Sequence, residues 1–364
     1  MKVALIGASG FIGTRIIEQF HLGGGPSLAA IVRRPSSLAL PARFSIETHL
    51  ADALDTDALA RAFSGCTAVI HAAIGDPAQI ERMPGALCLA ASAAGVKRLV
   101  YLSSASVHGQ NPPPGTDENS PLTTNQAMDY NNAKVRAEQR FFAECRRLSL
   151  VGFALRPGVV YGPRSRWIAD LANEMIEGRA WLYEGGRGIC NGIYVDNLVH
   201  AISCCLQATD DAAGAYLVGD AETVTWEQFY RTAAVHLDVP LASIHQLSQL
   251  PMFKRSWKER ADRAAAHPLV QRLLPLVPYK LKRSTKAVIA ANAPAPRQDS
   301  WTIPNGPQPR VSQEMALLQR CSWKLPHRRA EENLDYRPAV SFADGMNRSF
   351  AWWRFAQGEV SFAA

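Results

Sequence analysis

The run GASGFIG, with glycines at positions 7, 10 and 13 directly after the apolar segment KVALI, leaves the chain few ways to begin folding. Apolar residues then recur at helical spacing, at Phe11, Ile12, Ile16, Ile17 and Phe20, so the segment reads as strand, tight turn and helix. Such a turn gathers free backbone N–H groups and the positive end of a helix dipole. A pyrophosphate can approach there because Gly7, Gly10 and Gly13 carry no Cβ. The spacing is GxxGxxG rather than GxGxxG, and turn glycines alone are a weak signal. Their place at the first junction of a strand–helix series gives the phosphate reading its weight. Ser9, Phe11 and Ile12 belong to the same loop and are counted with it as cofactor-binding residues.

The alternation continues, with strands expected at 28–33, 44–48, 67–71, 98–103 and 150–156 and helices at 53–63, 81–94 and 128–147. Strands alternating with helices imply right-handed crossovers and a doubly wound parallel sheet, an α/β fold of Rossmann type. Beyond 156 the pattern is less regular: a helix is expected at 167–177, a strand–helix unit at 192–206 and a helix at 225–237. A last helix carries Phe350, Trp352, Trp353 and Phe355, which read as core packing. The expected organisation is an NAD(P)-binding Rossmann domain over 1–160 and a smaller substrate-binding lobe over 161–364. The lobe includes a basic, proline-interrupted insertion at 251–330.

The composition, 47% hydrophobic and 20% charged, is that of an ordinary globular chain and not of a disordered one. MKVALIGASG runs straight into the first motif without a leader pattern, and no apolar stretch reaches the roughly 18 residues of a membrane span, so a cytoplasmic enzyme is expected. The seven cysteines show no CxxC spacing and read as reduced core thiols; no histidine pattern of metal-ligand spacing occurs, and no metal is expected. Charge is uneven. Residues 251–330 hold 16 Lys and Arg against 4 Asp and Glu, a net +12 within a chain whose total is +7. Within them PLVQRLLPLV at 268–277 precedes Lys280, Lys282, Arg283 and Lys286. An apolar run beside cations can form an interfacial anchor, so one expectation is peripheral contact with anionic membrane through 268–286. That contact would suit a lipophilic or lipid-linked small-molecule substrate. The competing expectation is that these leucines cover the substrate lobe while the cations are solvated. No nucleic-acid-binding module accompanies the charge, so nucleic acid is not an expected partner.

Chemistry is expected at the carboxyl ends of the strands, where open α/β sheets bind ligands. Arg33 and Arg34 stand about 20 residues past Gly13, where an NAD-preferring site would offer an acid to the ribose; guanidinium forks suit a 2′-phosphate, so NADP(H) is favoured over NAD(H). Asp52, with Ala53 beside it, follows the third strand and can reach the adenine or cap the next helix. His71 closes the fourth strand and reads as structural, while Ala72 and Ala73 let a cofactor pass over the sheet edge. LSSASVHG brings Ser103, Ser104 and Ser106 to the end of the fifth strand. Tyr130 and Lys134 follow in DYNNAKVRAEQ, four apart and therefore on one helix face. An ammonium beside a phenol favours the phenolate and lowers its pKa, as a general acid/base for an alcohol or ketone requires.

Together GASGFIG, LSSASVHG, YNNAK and LRPGVVYGPR resemble the extended short-chain dehydrogenase/reductase family, also called the NAD-dependent epimerase/dehydratase family, over residues 1–240. The resemblance implies that Ser104 and Tyr130 contact the reacting oxygen, that Lys134 binds the nicotinamide ribose, and that Pro157, Gly158 and Val160 lie by the nicotinamide. It also implies that ICNGIYVDNLVHAI organises the junction with the lobe, and that a homodimer forms through the helix carrying Tyr130. Ala105 and Ser106 stand where sugar-nucleotide dehydratases of the family carry an acidic pair, and Val159 where many epimerases carry an asparagine. The resemblance therefore implies an NAD(P)(H)-dependent oxidoreductase interconverting a secondary alcohol and a ketone. A nucleotide-sugar epimerase with transient oxidation is the alternative. A cofactor-binding sensor without turnover is a third reading, and the intact Ser104, Tyr130 and Lys134 set argues against it.

Overall fold

The computed structural model describes residues 1–253 and 306–358. The insertion segment 268–286, with its expected membrane contact, lies outside the described residues. The chain divides into two compact units, one formed by Met1–Ser248 with Pro309–Ala364 and the other by Gln249–Gln308. No helix among the described residues is long and apolar enough to cross a membrane.

The first unit is built on a seven-stranded, wholly parallel sheet. In chain order its strands are β1 (Lys2–Ile6), β2 (Ser27–Val32), β3 (Glu47–Leu50), β4 (Ala68–His71), β5 (Arg98–Leu102) and β6 (Val151–Pro157), with a seventh, Gly214–Val218, arriving late. The spatial order runs from that late strand through β6, β5, β4, β1 and β2 to β3. The order turns back beside β1, and open parallel sheets bind ligands at such a switch point. Helices α1 (Phe11–Leu22), α2 (Thr56–Ala62), α3 (Pro77–Ala93) and α4 (Asp129–Leu148) make the crossovers. Two apolar clusters cover the sheet. Val3, Leu5, Val100, Phe153 and Leu155 belong to one and Ala4, Ile6, Val69, Leu99 and Tyr101 to the other, the period-2 alternation of strands buried on both faces.

Several boundaries differ from expectation for local reasons. The third strand begins at Glu47 instead of 44, because Phe44 and Ile46 pack against the core outside the ladder and pairing with β2 starts at Glu47. Helix α2 begins at Thr56 instead of 53, because Asp55 accepts the Ala58 N–H and caps it. Helix α3 starts four residues early, at Pro77, where Asp76 and Gln79 form a reciprocal capping box. The sheet also draws on residues 214–218, past position 160.

Beyond β6 the chain makes β7 (Val159–Tyr161), α5 (Arg166–Ile176), β8 (Trp181–Tyr183), β9 (Ile189–Cys190), β10 (Gly192–Tyr194) and α6 (Val195–Gln207). The late sheet strand is β11, followed by β12 (Val224–Thr225), α7 (Trp226–Leu237) and β13 (His245–Leu247). After the described chain resumes come α8 (Gln313–Leu318), α9 (Arg328–Leu334) and α10 (Phe342–Ala356). A third apolar cluster joins α5, α7 and α10, with Phe229, Tyr230, Phe350 and Trp353 buried in it. Phe350 and Trp353 are thus core residues, while Phe355 is exposed.

Candidate active site

The glycine loop closes as its composition requires. Gly7 has φ +84°, and a Cβ there would lie 2.7 Å from the Ala73 nitrogen and 2.9 Å from the Ala72 carbonyl oxygen. A Cβ on Gly13 would lie 2.1 Å from the Gly7 oxygen. The Gly10 N–H donates to the Gly7 carbonyl at 3.0 Å, and Gly10 caps α1 without a side-chain bond. Ser9 is half-buried at the tip of the loop. Phe11 and Ile12 pack against the third cluster, so the loop and the lobe share apolar contacts. Ala72 and Ala73 line the end of β4 against Gly7.

Arg33 and Arg34 are exposed just past the end of β2. Asp52 is exposed and its carboxylate accepts the Leu54 N–H at 2.9 Å, while the neighbouring Ala53 is buried. Asp52 does not cap α2; that place belongs to Asp55, because the helix starts three residues later than the apolar pattern suggests. His71 is buried at the end of β4, its ring 5.4 Å from that of Tyr101. Among the described residues neither ring nitrogen has a hydrogen-bond partner. Burial, with Lys134 nearby, pushes its pKa down to about 3.

Ser104, just past the end of β5, and Tyr130, in the first turn of α4, come together: the Ser104 hydroxyl is near enough to favour the phenolate, and it accepts the Ser106 N–H at 3.2 Å. Lys134, one helical turn on, is buried; its Nζ lies 5.9 Å from the Tyr130 ring centroid and donates to the Leu102 carbonyl at 2.9 Å. Burial pushes the lysine down to about 8, with Glu138 opposing the shift. Burial also raises the Tyr130 phenol to about 12, against the lowering effect of the Ser104 hydroxyl and with Glu314 adding to the rise. The expected lowering of the phenol by the ammonium therefore does not prevail: desolvation outweighs it. The phenol is held as an acid.

Ser103, expected at the cofactor, commits its hydroxyl elsewhere, donating to Glu138 at 2.5 Å. Glu138 forms a buried ion pair with Arg156, which also contacts His108 and the Glu118 carbonyl. Glu138 continues the four-residue stripe of Tyr130 and Lys134 on α4, a spacing from which it could have been found. Arg156 could not, since its partner lies on another element. Pro157 ends β6 opposite Val218. A Cβ on Gly158 would lie 1.9 Å from the Asn191 oxygen, so the chain passes into the lobe there with no room to spare. Val159 donates its N–H to that oxygen, and Val160 packs against the clusters of both sheet and lobe. In YVDN, Asp196 pairs with Arg15 of α1 at 2.5 Å, and Asn197 donates to the Asp220 carboxylate and the Val340 carbonyl. These bonds tie lobe to sheet.

A glycine cradle at the first strand end and a serine–tyrosine–lysine set at the fifth can accommodate a dinucleotide and a carbonyl compound. A 3-diazoavenalumate denitrifying reductase from Streptomyces sp is 31% identical over 262 residues, spanning 66% of this chain and 83% of that protein. A 3 beta-hydroxysteroid dehydrogenase/Delta 5-->4-isomerase from Mycobacterium tuberculosis is 30% identical over 258 residues, 63% of this chain and 68% of its own. The crystal structure of a dTDP-glucose 4,6-dehydratase from Streptomyces venezuelae, with NAD bound, superposes with a TM-score of 0.68 at 19% identity over 98% of each chain, a likeness of fold. The sequence model of one family matches residues 3–219, more than half of the length, and the chain belongs to that family, the NAD dependent epimerase/dehydratase family.

Proposed function

We propose that the protein is an oxidoreductase interconverting a secondary alcohol and a ketone, with Tyr130 as general acid/base. The observation that carries the reading is the meeting of Ser104 and Tyr130 beside buried Lys134 at the carboxyl edge of β5. The nicotinamide cofactor, when bound, supplies or accepts the hydride. Gly7, Gly10 and Gly13 admit its pyrophosphate, Pro157, Gly158 and Val160 line its nicotinamide end, and Arg33 and Arg34 favour the 2′-phosphate of NADP(H). Residues 1–160 serve mainly the cofactor and 161–364 the substrate. In the reducing direction the neutral phenol protonates the carbonyl oxygen as it gains charge, and Ser104 holds that oxygen. The steroid dehydrogenase named among the relatives supports this reading and a lipophilic substrate. A homodimer through α4 belongs to the same reading.

The experiment is turnover of a panel of 3β-hydroxysteroids, aryl ketones and UDP-glucose, with reduced nicotinamide followed by absorbance. Stoichiometric cofactor conversion is expected with one of the first two classes. Tyr130→Phe should lose about 10²–10⁴-fold in kcat and keep its cofactor affinity. Near-normal turnover by that variant would overturn the assignment of Tyr130. Epimerised UDP-glucose without net cofactor change would replace the whole reading by the epimerase one.

A further inference from the structure

Glu314 lies on α8, nearly a hundred residues beyond the segment that matches the family. It belongs to the chain that returns after the insertion, yet its carboxylate accepts a hydrogen bond from Gln110 Nε2 at 3.4 Å. Gln110 is buried at 7% exposure and exchanges two hydrogen bonds with the side chain of Asn131, buried at 1%. Asn131 also donates to Gln126 Oε1 at 2.8 Å, and Gln126 in turn donates to the Val107 carbonyl at 2.8 Å. Asn131 directly follows Tyr130 in the first turn of α4, a turn that has no side-chain cap at Met128. Three amides and one carboxylate thus connect that turn to the segment following Ser104 and to a helix distant in sequence.

We propose that Glu314 is a positioning residue of the active site: its carboxylate anchors the buried Gln110–Asn131 pair and so fixes the turn that presents Tyr130 to Ser104. The proposal rests on the reading of Tyr130 as the acid/base, but its test does not depend on turnover. Buried amides must find partners for both N–H groups and the oxygen, so an acceptor removed from one end leaves a donor without a partner and loosens the chain of bonds. The charge acts as well. Ser104 and Glu314 act on the Tyr130 phenol, the Lys134 ammonium stands 5.9 Å from its ring centroid and Tyr101 lies nearby, and among these groups Glu314 is the anion. A nearby negative charge opposes formation of the phenolate, in keeping with the raised phenol.

A fluorinated tyrosine at position 130, whose phenol titrates in an accessible pH range, reports both effects in the full-length protein without substrate. Glu314→Gln keeps an acceptor for Gln110 and removes the charge: the fluorine resonance should stay sharp and single while the phenol titrates lower by about half a pH unit. Glu314→Ala removes both, so the same downward shift should come with a broadened or split resonance. Rescue of the line shape by Gln but not by Ala identifies the anchor. If both variants keep the native titration midpoint and the native line shape, Glu314 has no hold on Tyr130 and the proposal is overturned. Loss of turnover in Tyr130→Phe is read separately, so an inactive role for Tyr130 and a passive Glu314 are distinguishable.

Discussion

Two residues whose side chains lie by the strand ends, His71 of β4 and Lys134 of α4, show how position decides chemistry. His71 and Lys134 are both buried, but Lys134 gives a hydrogen bond to Leu102 and has Glu138 nearby, whereas His71 has no hydrogen-bond partner among the described residues. The histidine is therefore neutral in the folded state, its pKa lowered from 6.5 to about 3. Below its ordinary pKa the unfolded chain takes up a proton that the folded chain refuses. Stability from this group is thus full above about pH 6.5 and is lost as pH falls toward 3. His71→Phe keeps a ring against Tyr101 and should flatten the fall in urea midpoint between pH 7.5 and 5; an unchanged fall would show that other groups cause it. Arg33 carries a second prediction. With guanidinium groups exposed at the end of β2, calorimetry should find NADP(H) bound more tightly than NAD(H), and Arg33→Asp should reverse the order. Equal affinities in the unaltered protein would remove the preference.

At the scale of elements, a buried ion pair links α4 to β6 within the β5–α4–β6 group. Arg156 of β6 and Glu138 of α4 are almost fully buried, and Ser103, after β5, donates to the same carboxylate. Removing one partner leaves the other charge buried without compensation, which typically costs about 3–5 kcal/mol. Glu138→Ala is accordingly expected to lower stability by that order in denaturant titration and to displace Lys134 along the same helix face. Arg156→Met together with Glu138→Leu should recover much of the loss. If Glu138→Ala alone costs under about 1 kcal/mol, the pair is not what holds these elements. The serine was legible as a strand-end residue, but its task was not. That depends on a carboxylate 35 residues away, brought within reach only when α4 packs beside β5.

In the whole molecule, the lobe is joined to the sheet by Arg15–Asp196, by Asn197 and by the late strand β11. The net +12 of residues 251–330 gives the molecule a strongly cationic stretch, most of which lies outside the described residues. Co-sedimentation of the full-length protein with vesicles should require acidic lipid, weaken with salt, and decline when Lys280, Lys282, Arg283 and Lys286 become glutamines. No pelleting with acidic vesicles at low salt would remove membrane contact. The glycine loop, the alternating strands and helices and the Tyr130–Lys134 spacing were readable from the sequence alone, because each is a local pattern whose period or turn chemistry is decided within a few residues. The addition of β11 to the sheet, the pairing of Arg156 with Glu138 and the contact of Glu314 with Gln110 were not, since each joins residues far apart in the chain. Burial behaves in the same way. The spacing of Tyr130 and Lys134 predicted a phenol made more acidic by its neighbour, and only the packed interior, which desolvates both groups, reverses the sign.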